Sequence, residues 1–396
     1  MTIYLDHAAT TPLRPEARDA WLAAAQRVGN ASSIHRAGQD ARRLLAESRE
    51  RLAAVLDCDP IEVVLTSGGT ESINTALKGL WWARPAGREA IVLPDGEHHA
   101  TVDTVEWLHT HEGARVVPVP LDRVGRIEPD VFAAALPGAA LATALAANNE
   151  VGTVNDIAAL SAAAAAADVP LHADAVAAFG HVPVSFRSWR GEATGPRGLV
   201  ALSVSAHKIG GPVGVGALVV ARESEPAALL HGGGQQRGLR SGTQDVAGAA
   251  AFAVAAELAA AERESESVRL AGLRGRLVRG ILNTVADAEL LGDPIDRLPG
   301  NAHVLFSGAL GETLLFLLDA AGVCASTGSA CQAGIPEPSH VVTAMGRTET
   351  EARQVLRFTL GRDTTEADVD AALAVLPQAV ERARAAASGP RPAGRS

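Results

Sequence analysis

The stretch Val63-Val-Leu-Thr66, continued by Ser67-Gly-Gly-Thr-Glu-Ser-Ile-Asn-Thr-Ala-Leu77, decides the fold class of this chain. Its first four residues are an apolar, β-branched run of the kind that makes a buried strand. The glycine pair that follows is typical of a turn, and the remaining residues have the pattern of a helical segment. A strand that leads straight into a helix is the repeating unit of α/β proteins.

The same alternation of β-branched runs and Ala/Leu/Arg-rich segments continues far along the chain. We therefore predict an α/β fold with a mostly parallel seven-stranded sheet covered by helices. The alanine-rich tract 158–167 is predicted to be a crossover helix, because alanine has the highest helix propensity. The predicted strands are Val63–Thr66, Ala90–Leu93, Val116–Val119, Leu141–Ala146, Pro170–Ala173, Leu199–Val204 and Gly216–Val220.

A different pattern follows this α/β part. Residues 254–280 have the pattern of a charged amphipathic helix, and 289–307 and 355–360 have the pattern of strands. These elements predict a second, smaller α+β region.

The length of 396 residues indicates two domains. We predict a large domain over residues 15–255 and a small domain built from residues 1–14 and 256–385. The last residues, 386–396, are small or are Pro, Gly and Arg, so we expect a disordered tail.

Composition and charge limit the classes of function. A formal charge of -10 argues against a nucleic-acid partner. Three cysteines, Cys58, Cys324 and Cys331, have neither the spacing of a metal site nor the even number of a disulfide framework, so we expect a cytoplasmic protein without a metal. We see no secretory signal and no apolar run of the roughly 20 residues that a membrane span needs.

The lone cysteine of Ser326-Thr-Gly-Ser-Ala-Cys331-Gln-Ala-Gly334 is a candidate nucleophile. A thiol on a mobile, polar segment can ionise and reach a substrate, whereas a structural cysteine is held in apolar surroundings. For this motif alone, an unpaired cysteine in a turn is an equally good interpretation.

Three further motifs lie where predicted strands end. Ser67-Gly-Gly-Thr70 could hold a phosphate at a helix N-terminus or be a simple turn. The carboxylate of Asp174, in His172-Ala-Asp174, could pair with a pyridine nitrogen or cap the next helix. Lys208, in Ser205-Ala-His-Lys208, stands where a cofactor aldehyde can be held as a Schiff base. Because strand C-termini converge on one crevice, Lys208 and Asp174 together indicate pyridoxal phosphate chemistry.

With these motifs in order, the chain resembles group I cysteine desulfurases of the NifS/IscS type, in the class V aminotransferase family of fold-type I pyridoxal-phosphate enzymes. The resemblance covers nearly the whole chain and implies a homodimer. The matching segments are Tyr4 to Pro12, Gly29 to His35, Thr66 to Glu71, Glu97-His98, Ala147 to Gly152, Asp174-Ala-Val, Ser205 to Lys208, His231 to Gln235, Arg240 to Thr243, Ser326 to Gly334, Pro338 to Val341 and Arg357 to Arg362.

The resemblance implies roles for individual residues. Lys208 would carry the cofactor as a Schiff base, Asp174 would pair with the pyridinium, and His98 would stack on the ring and shuttle protons. Asn149 and Arg357 would hold the substrate carboxylate. The phosphate would be held by Gly69, Thr70, Ser205 and His207, with Thr243 reaching in from the partner subunit.

The residues themselves leave two of these roles open. Arg357 has the planar fork that suits a carboxylate, but an ordinary arginine at a strand end is the alternative. His98 could equally be a loop histidine beside His99.

The implied reaction takes sulfur from L-cysteine, releases L-alanine and leaves a persulfide on Cys331. The sulfur would pass to an acceptor protein such as an iron–sulfur scaffold or a thiolation enzyme. Three other functions share some of these residues. They are selenocysteine lyase, a fold-type I transaminase or epimerase without need of Cys331, and a sulfur-transfer scaffold with weak catalysis.

The chain departs from the family pattern at Ala177, where a glutamine usually donates a hydrogen bond to the cofactor's phenolic oxygen. A lost hydrogen bond to a charged oxygen costs about 1.5–3 kcal/mol. A second departure is the extra polar stretch 188–197, which we expect to be an exposed loop. Cys324 could be a second sulfur-handling thiol or a small buried residue.

Overall fold

A seven-stranded sheet forms the centre of the protein in a computed structural model that describes residues 2–328 and 337–388. Its strands lie within one or two residues of the predicted limits. They are β2 (Val63–Thr66), β3 (Ala90–Pro94), β4 (Arg115–Val119), β5 (Ala139–Leu145), β6 (Pro170–Asp174), β7 (Gly198–Ser205) and β8 (Gly216–Val220).

The strand order in this sheet is β2-β8-β7-β6-β5-β3-β4. Only β8 runs against its neighbours, and β7, β6, β5, β3 and β4 are parallel to one another. The predicted α/β fold with a mostly parallel seven-stranded sheet is confirmed. Every residue of β5, β7 and β8 is buried, as expected for strands covered on both faces.

Most helices connect or cover these strands. The predicted crossover helix at 158–167 is present as α6, and the stretch 188–197 begins inside a short helix, α7, rather than being loop throughout. The helices of the described chain are α1 (Pro15–Ala25), α2 (Arg36–Leu56), α3 (Gly69–Trp82), α4 (His99–Glu112), α5 (Pro129–Ala135), α6 (Ile157–Ala166), α7 (Phe186–Arg190), α8 (Val246–Thr284), α9 (Gly311–Ala320), α10 (His340–Ala344), α11 (Glu349–Ala352) and α12 (Glu366–Ser388).

A second hydrophobic cluster is centred on α8, α9, α12 and two small sheets. One sheet is antiparallel, with the order β12-β10-β9, and the other joins β1 to β11 in parallel. The strands are β1 (Ile3–Tyr4), β9 (Ala288–Leu291), β10 (Asn301–Phe306), β11 (Val323–Cys324) and β12 (Val355–Thr359).

The structure corrects two limits in this part of the chain. The predicted strand region 289–307 is two strands, because Gly292 turns the backbone with a φ of +85° after β9. The helix predicted over 254–280 extends in both directions as α8, which starts where the Asp245 side chain accepts a hydrogen bond from Gly248 N. The proposed domain limit at residue 255 therefore lies within one continuous helix.

The last helix, α12, reaches Ser388, so residues 386–388 of the predicted tail are helical. Residues 389–396 lie outside the described chain. No helix in the described part of the chain is both long enough and apolar enough to cross a membrane.

Candidate active site

The C-terminal ends of the central strands open into a cavity of about 440 Å³. Here β6 ends at Asp174, β7 ends at Ser205, and α3 begins at Gly69. The structure thus brings together nine of the eleven residues predicted for the site. They are Gly69, Thr70, His98, Asn149, Asp174, Ser205, His207, Lys208 and Arg357.

Lys208 enters this cavity from a short 3₁₀ turn directly after β7. Its Nζ donates hydrogen bonds to the carbonyl oxygen of Ala8 and, at 3.0 Å, to that of Ala9. Burial lowers the pKa of Lys208 to about 8, with the Arg357 cation acting in the same direction and Asp6 and Asp174 opposing it. About a tenth of the amine is therefore neutral and nucleophilic at pH 7, far more than for an ordinary lysine.

Asp174 is only 2% exposed at the end of β6. Its Oδ1 accepts a hydrogen bond of 2.9 Å from Val176 N. Burial raises its pKa to about 6, whereas the Val176 hydrogen bond and the Lys208 cation lower it. Above pH 6 the carboxylate is mostly ionised, and it can pair with a cation in the cavity.

His98 stands at the start of α4, where its Nδ1 accepts a hydrogen bond of 3.0 Å from Ala100 N. Because Nδ1 is an acceptor, the hydrogen of the neutral ring lies on Nε2. Although the ring is open to the cavity, desolvation by its walls lowers the pKa to about 4, and the Lys208 cation adds to this. At neutral pH His98 is therefore an uncharged ring that can stack or exchange a proton.

Two further histidines lie beyond His98. The ring centroid of His99 is 6.4 Å from that of His98 and 5.0 Å from that of His340. Across residues 2–328 and 337–388, no group of His, Cys, Asp or Glu side chains is arranged to hold a metal ion.

A candidate anion cradle lies at the start of α3. A Cβ at Gly69 would come within 2.7 Å of Val176 Cγ2, so the backbone passes close to the cavity wall at a point where only glycine fits well. Ser205 Oγ is buried without a hydrogen-bond partner in the described chain. The free N–H groups of a helix N-terminus and an unpaired hydroxyl together favour a phosphate.

His207 completes the same side of the cavity. Its Nδ1 lies 3.2 Å from Thr10 Oγ1, and burial together with the Lys208 cation lowers its pKa to about 4. A neutral His207 can contribute a ring N–H to an anion without adding charge.

Arg357 lies in β12 and is 5% exposed. Its Nη1 donates to Asn149 O at 2.8 Å, and its Nη2 donates to Asp6 Oδ1 at 3.0 Å. Its Nε is buried without an acceptor among the described residues. A buried arginine whose Nε–H has no acceptor is well suited to a carboxylate ligand.

Several cavity residues had no predicted role. His7, Ala8 and Ala9 line it from the N-terminal segment, and His181 lines it from the turn after β6. His7, Ala8 and Ala9 belong to the matching segment Tyr4 to Pro12. That match was the signal that could have placed them in the site, although the resemblance gave them no function. No pattern in the sequence indicated His181, whose pKa is lowered by burial.

Ala177 also lines the cavity, so the departure from the family pattern falls inside the site. Thr243 does not line it; this exposed residue borders a smaller neighbouring cavity together with Ser67 and Arg240. Cys331 lies outside the described residues, and so does the part of its segment that we expect to be mobile. Ser326 and Gly328, which precede it, are part of the cavity wall.

Cys324 lies on β11 and is partly exposed. Burial, assisted by Asp319 and Asp6, raises the pKa of its thiol. A raised pKa disfavours the thiolate, so Cys324 is poorly suited to act as a nucleophile.

Pyridoxal phosphate fits the groups that share this cavity. The Lys208 amine suits its aldehyde, the Asp174 carboxylate suits its ring nitrogen, and the α3 start with the unpaired Ser205 hydroxyl suits its phosphate.

Comparison with known proteins gives a consistent set of relatives. The chain matches the Aminotransferase class-V family model over residues 3–372. It is 49% identical over 392 residues to an IscS-like cysteine desulfurase of Mycobacterium tuberculosis, with 97% of this chain and 98% of the relative covered. A solved NifS-like protein has a TM-score of 0.88 at 30% identity and covers 96% of this chain and 100% of its own. The structure of SspA in complex with cysteine has a TM-score of 0.78 at 30% identity, covering 91% of this chain and 99% of its own.

Proposed function

We propose that this chain, which belongs to the aminotransferase class-V family and is a cysteine desulfurase, transfers the sulfur of L-cysteine to Cys331 with pyridoxal phosphate bound in its cavity. Members of the family are in general pyridoxal-phosphate enzymes. The observation that carries the proposal is the convergence of Lys208, Asp174 and the anion cradle at α3 on one cavity.

Each group of residues in the cavity would have a role that fits its charge. When bound, pyridoxal phosphate supplies an electron sink that stabilises negative charge at the substrate Cα. Ionised Asp174 would keep the ring nitrogen protonated, and Gly69, Thr70, Ser205 and His207 would hold the phosphate. The Lys208 amine, with a pKa of about 8, is suited to take a proton from the substrate Cα and to return one.

Substrate orientation comes from the other side of the cavity. The buried Arg357 guanidinium binds the carboxylate of L-cysteine, and Asn149 lies beside it. His98 lines the same cavity as a neutral ring whose Nε2 carries the hydrogen, and it would stack on the cofactor. Together these residues would hold the Cα of the substrate near the Lys208 amine.

Cys331 receives the sulfur. In the overall transfer the Cβ–S bond of L-cysteine breaks and an S–S bond to Cys331 forms, giving a persulfide and L-alanine. The proton that the Cys331 thiol loses balances the hydrogen that the substrate Cβ gains. Gly328, three residues before Cys331, lines the cavity, and Ser326 pairs with Arg357 through Arg357 N and Ser326 O at 2.7 Å.

The partners follow from this chemistry. A persulfide is passed to an acceptor, and we assign this role to a protein such as an iron–sulfur scaffold or a thiolation enzyme. We also assign a homodimer, in which Thr243 completes the phosphate site of the partner. The position of Thr243 outside its own cavity supports this arrangement.

The test is a Cys331→Ser variant. Because a hydroxyl cannot replace a thiolate in attack on sulfur, the variant should bind L-cysteine, seen as a change in the visible absorption of the bound cofactor, but form neither alanine nor persulfide. Alanine is measured by chromatography and the persulfide by intact-protein mass spectrometry.

Cys324→Ser is the matched control and should retain both products. If Cys331→Ser forms alanine from L-cysteine at the parent rate, Cys331 is not the nucleophile, and a transaminase or lyase reaction replaces the desulfurase.

A further inference from the structure

Asp6 lies against the arginine to which we assign the substrate carboxylate. Its Oδ1 accepts a hydrogen bond of 3.0 Å from Arg357 Nη2, and the two side chains are 20% and 6% exposed. We propose that Asp6 is a positioning residue that fixes the Arg357 guanidinium for the carboxylate of the amino-acid substrate. This inference rests on the proposed function, because it requires Arg357 to bind that carboxylate.

The backbone holds Asp6 firmly in this place. Asp6 forms a parallel bridge with Thr359, two residues after Arg357 on β12. Thr359 N donates to Leu5 O at 2.7 Å, and Ala8 N donates to Thr359 Oγ1 at 2.8 Å. The carboxylate of Asp6 therefore reaches Arg357 from a segment that is tied to the same strand on both sides.

The hydrogen bonds of the Arg357 guanidinium show which of its donors can still bind a substrate carboxylate. Nη1 is engaged by Asn149 O and Nη2 by Asp6 Oδ1, so the two ends of the fork are fixed. Nε remains a buried donor without an acceptor in the described chain. Since a buried N–H without an acceptor is unfavourable, an incoming carboxylate oxygen gains a donor that is already oriented.

The charges around Arg357 explain why a fixed partner is needed. Lys208 is close enough for Arg357 to lower its pKa, and Arg357 acts in the same direction on His98 and His303. Asp6 is the carboxylate that pairs directly with Arg357, and it acts on Lys208 in the opposite direction. Without Asp6, a long cationic side chain next to Lys208 would lose its direct ion-pair partner, and repulsion would favour other rotamers.

The test uses two substitutions of Asp6 and a pair of ligands that differ by one carboxylate. Asp6→Ala removes the acceptor, and Asp6→Asn keeps an oxygen for Nη2 while removing the charge. Binding of L-alanine and of ethylamine to the pyridoxal-phosphate-loaded enzyme is measured by competition with L-cysteine. Asp19→Ala is the matched control, because Asp19 pairs with Arg18 on the exposed surface.

We expect Asp6→Ala to raise the KM for L-cysteine and the inhibition constant of L-alanine at least tenfold, with kcat changed less than threefold. The inhibition constant of ethylamine should change less than twofold, because ethylamine has no carboxylate for Arg357. Asp6→Asn should fall between the parent and Asp6→Ala for L-cysteine and L-alanine, because it keeps an acceptor for Nη2 but no longer balances the Arg357 charge. Asp19→Ala should match the parent.

Two results would overturn the inference. One is equal weakening of L-alanine and ethylamine by Asp6→Ala, which would mean general damage to the cavity. The other is tighter binding of L-alanine by either Asp6 variant, which would mean that the Asp6 charge opposes the substrate. A parent enzyme that forms no alanine from L-cysteine would instead contradict the proposed function itself.

Discussion

Lys208 is a cation that burial and a neighbouring arginine make easier to deprotonate. Its pKa is lowered to about 8, whereas His98 and His207 in the same cavity have pKa values near 4 and Asp174 near 6. Among these four residues, only Lys208 changes protonation between pH 7 and 9.

This separation predicts how cofactor attachment depends on pH. The neutral amine attacks the aldehyde, and for a pKa of about 8 its fraction rises about tenfold from pH 7 to pH 9. The rate at which apoprotein gains its visible absorption with pyridoxal phosphate should therefore rise with a midpoint near pH 8. Lys208→Ala should form no covalent link. A midpoint near that of an ordinary lysine would contradict the lowered pKa.

Ala177 allows a second test at the level of one side chain. It lines the cavity where the family usually has a glutamine, so Ala177→Gln should supply a donor to the phenolic oxygen of the cofactor. A hydrogen bond to a charged oxygen is worth about 1.5–3 kcal/mol, and it favours the ionised form of that oxygen. We expect a shifted visible absorption band or a lower titration midpoint, together with tighter cofactor binding. An unchanged spectrum, titration and affinity would show that another group already fills this position.

The start of α3 is the element on which the proposed phosphate binding depends. Gly69→Ala would place a Cβ 2.7 Å from Val176 Cγ2, and valine is stiff because its side chain is β-branched. The helix start must then move away from the cavity. We expect at least a tenfold loss of pyridoxal phosphate affinity, measured by titration of the apoprotein, with an unchanged circular dichroism spectrum.

Gly272→Ala is the matched control for this substitution. Gly272 lies inside α8 with no atom within 4 Å of an added Cβ. Cofactor affinity should stay at the parent value, and the free energy of unfolding should rise by up to about 1 kcal/mol, because alanine favours the helix. If both variants lose affinity equally, the contact with Val176 is not the cause.

The elements also show how far the sequence determines the structure. Strands of the central sheet were predictable because continuous β-branched runs such as Val63–Thr66 admit few other interpretations. The limits of α8 were not, because its first half is alanine-rich and buried, so it lacks the amphipathic pattern by which the second half was recognised. Gly292 separates the region 289–307 into β9 and β10 because its φ is positive. The mixed residue types of this region do not indicate where such a turn lies.

The site was predictable where a residue ends a strand and belongs to a family motif, as Asp174 and Lys208 do. His181 shows the opposite case, and the contact of Asp6 with Arg357 was not predicted although Asp6 lies in the matching segment Tyr4 to Pro12. His181 comes into the cavity through the turn after β6, and Asp6 meets Arg357 across 351 positions of sequence. Contacts of that kind depend on how distant segments pack, and single-sequence patterns carry no information about them.

At the scale of the whole molecule, the cavity walls come from both the central sheet and the sheet that contains β12. Asp174 and Ser205 belong to the central sheet, whereas Arg357 belongs to β12 in the second cluster. In the proposed site, the arginine for the substrate carboxylate and the residues for the cofactor therefore come from different sheets. The long helix α8 contributes buried residues to the core around the central sheet and to the second hydrophobic cluster, so one continuous helix joins these two parts.

The proposed exchange of Thr243 between protomers extends this division to two chains. Arg240, in the same segment, donates through Nε to Glu71 Oε1 at 2.8 Å, and Glu71 Oε2 accepts from Ser67 N at 2.8 Å. The segment that carries Thr243 is thus tied to the start of α3, while Thr243 itself is exposed. Loss of one hydrogen bond to a phosphate costs about 1.5–3 kcal/mol, or about ten- to a hundredfold in affinity, so Thr243→Ala should bind pyridoxal phosphate that much more weakly.

A mixed dimer of Lys208→Ala and Thr243→Ala protomers, purified with two different tags, shows whether Thr243 contributes to the site of its own chain or to that of the partner. If Thr243 acts across the dimer, the site that keeps Lys208 receives the intact Thr243 of its partner. The mixed dimer should then bind pyridoxal phosphate covalently at one site per dimer with the parent affinity. If Thr243 serves its own chain, that site still lacks it and keeps the weak affinity of Thr243→Ala. This weak affinity, or sedimentation of the parent protein as a single chain, would contradict a site completed by two subunits.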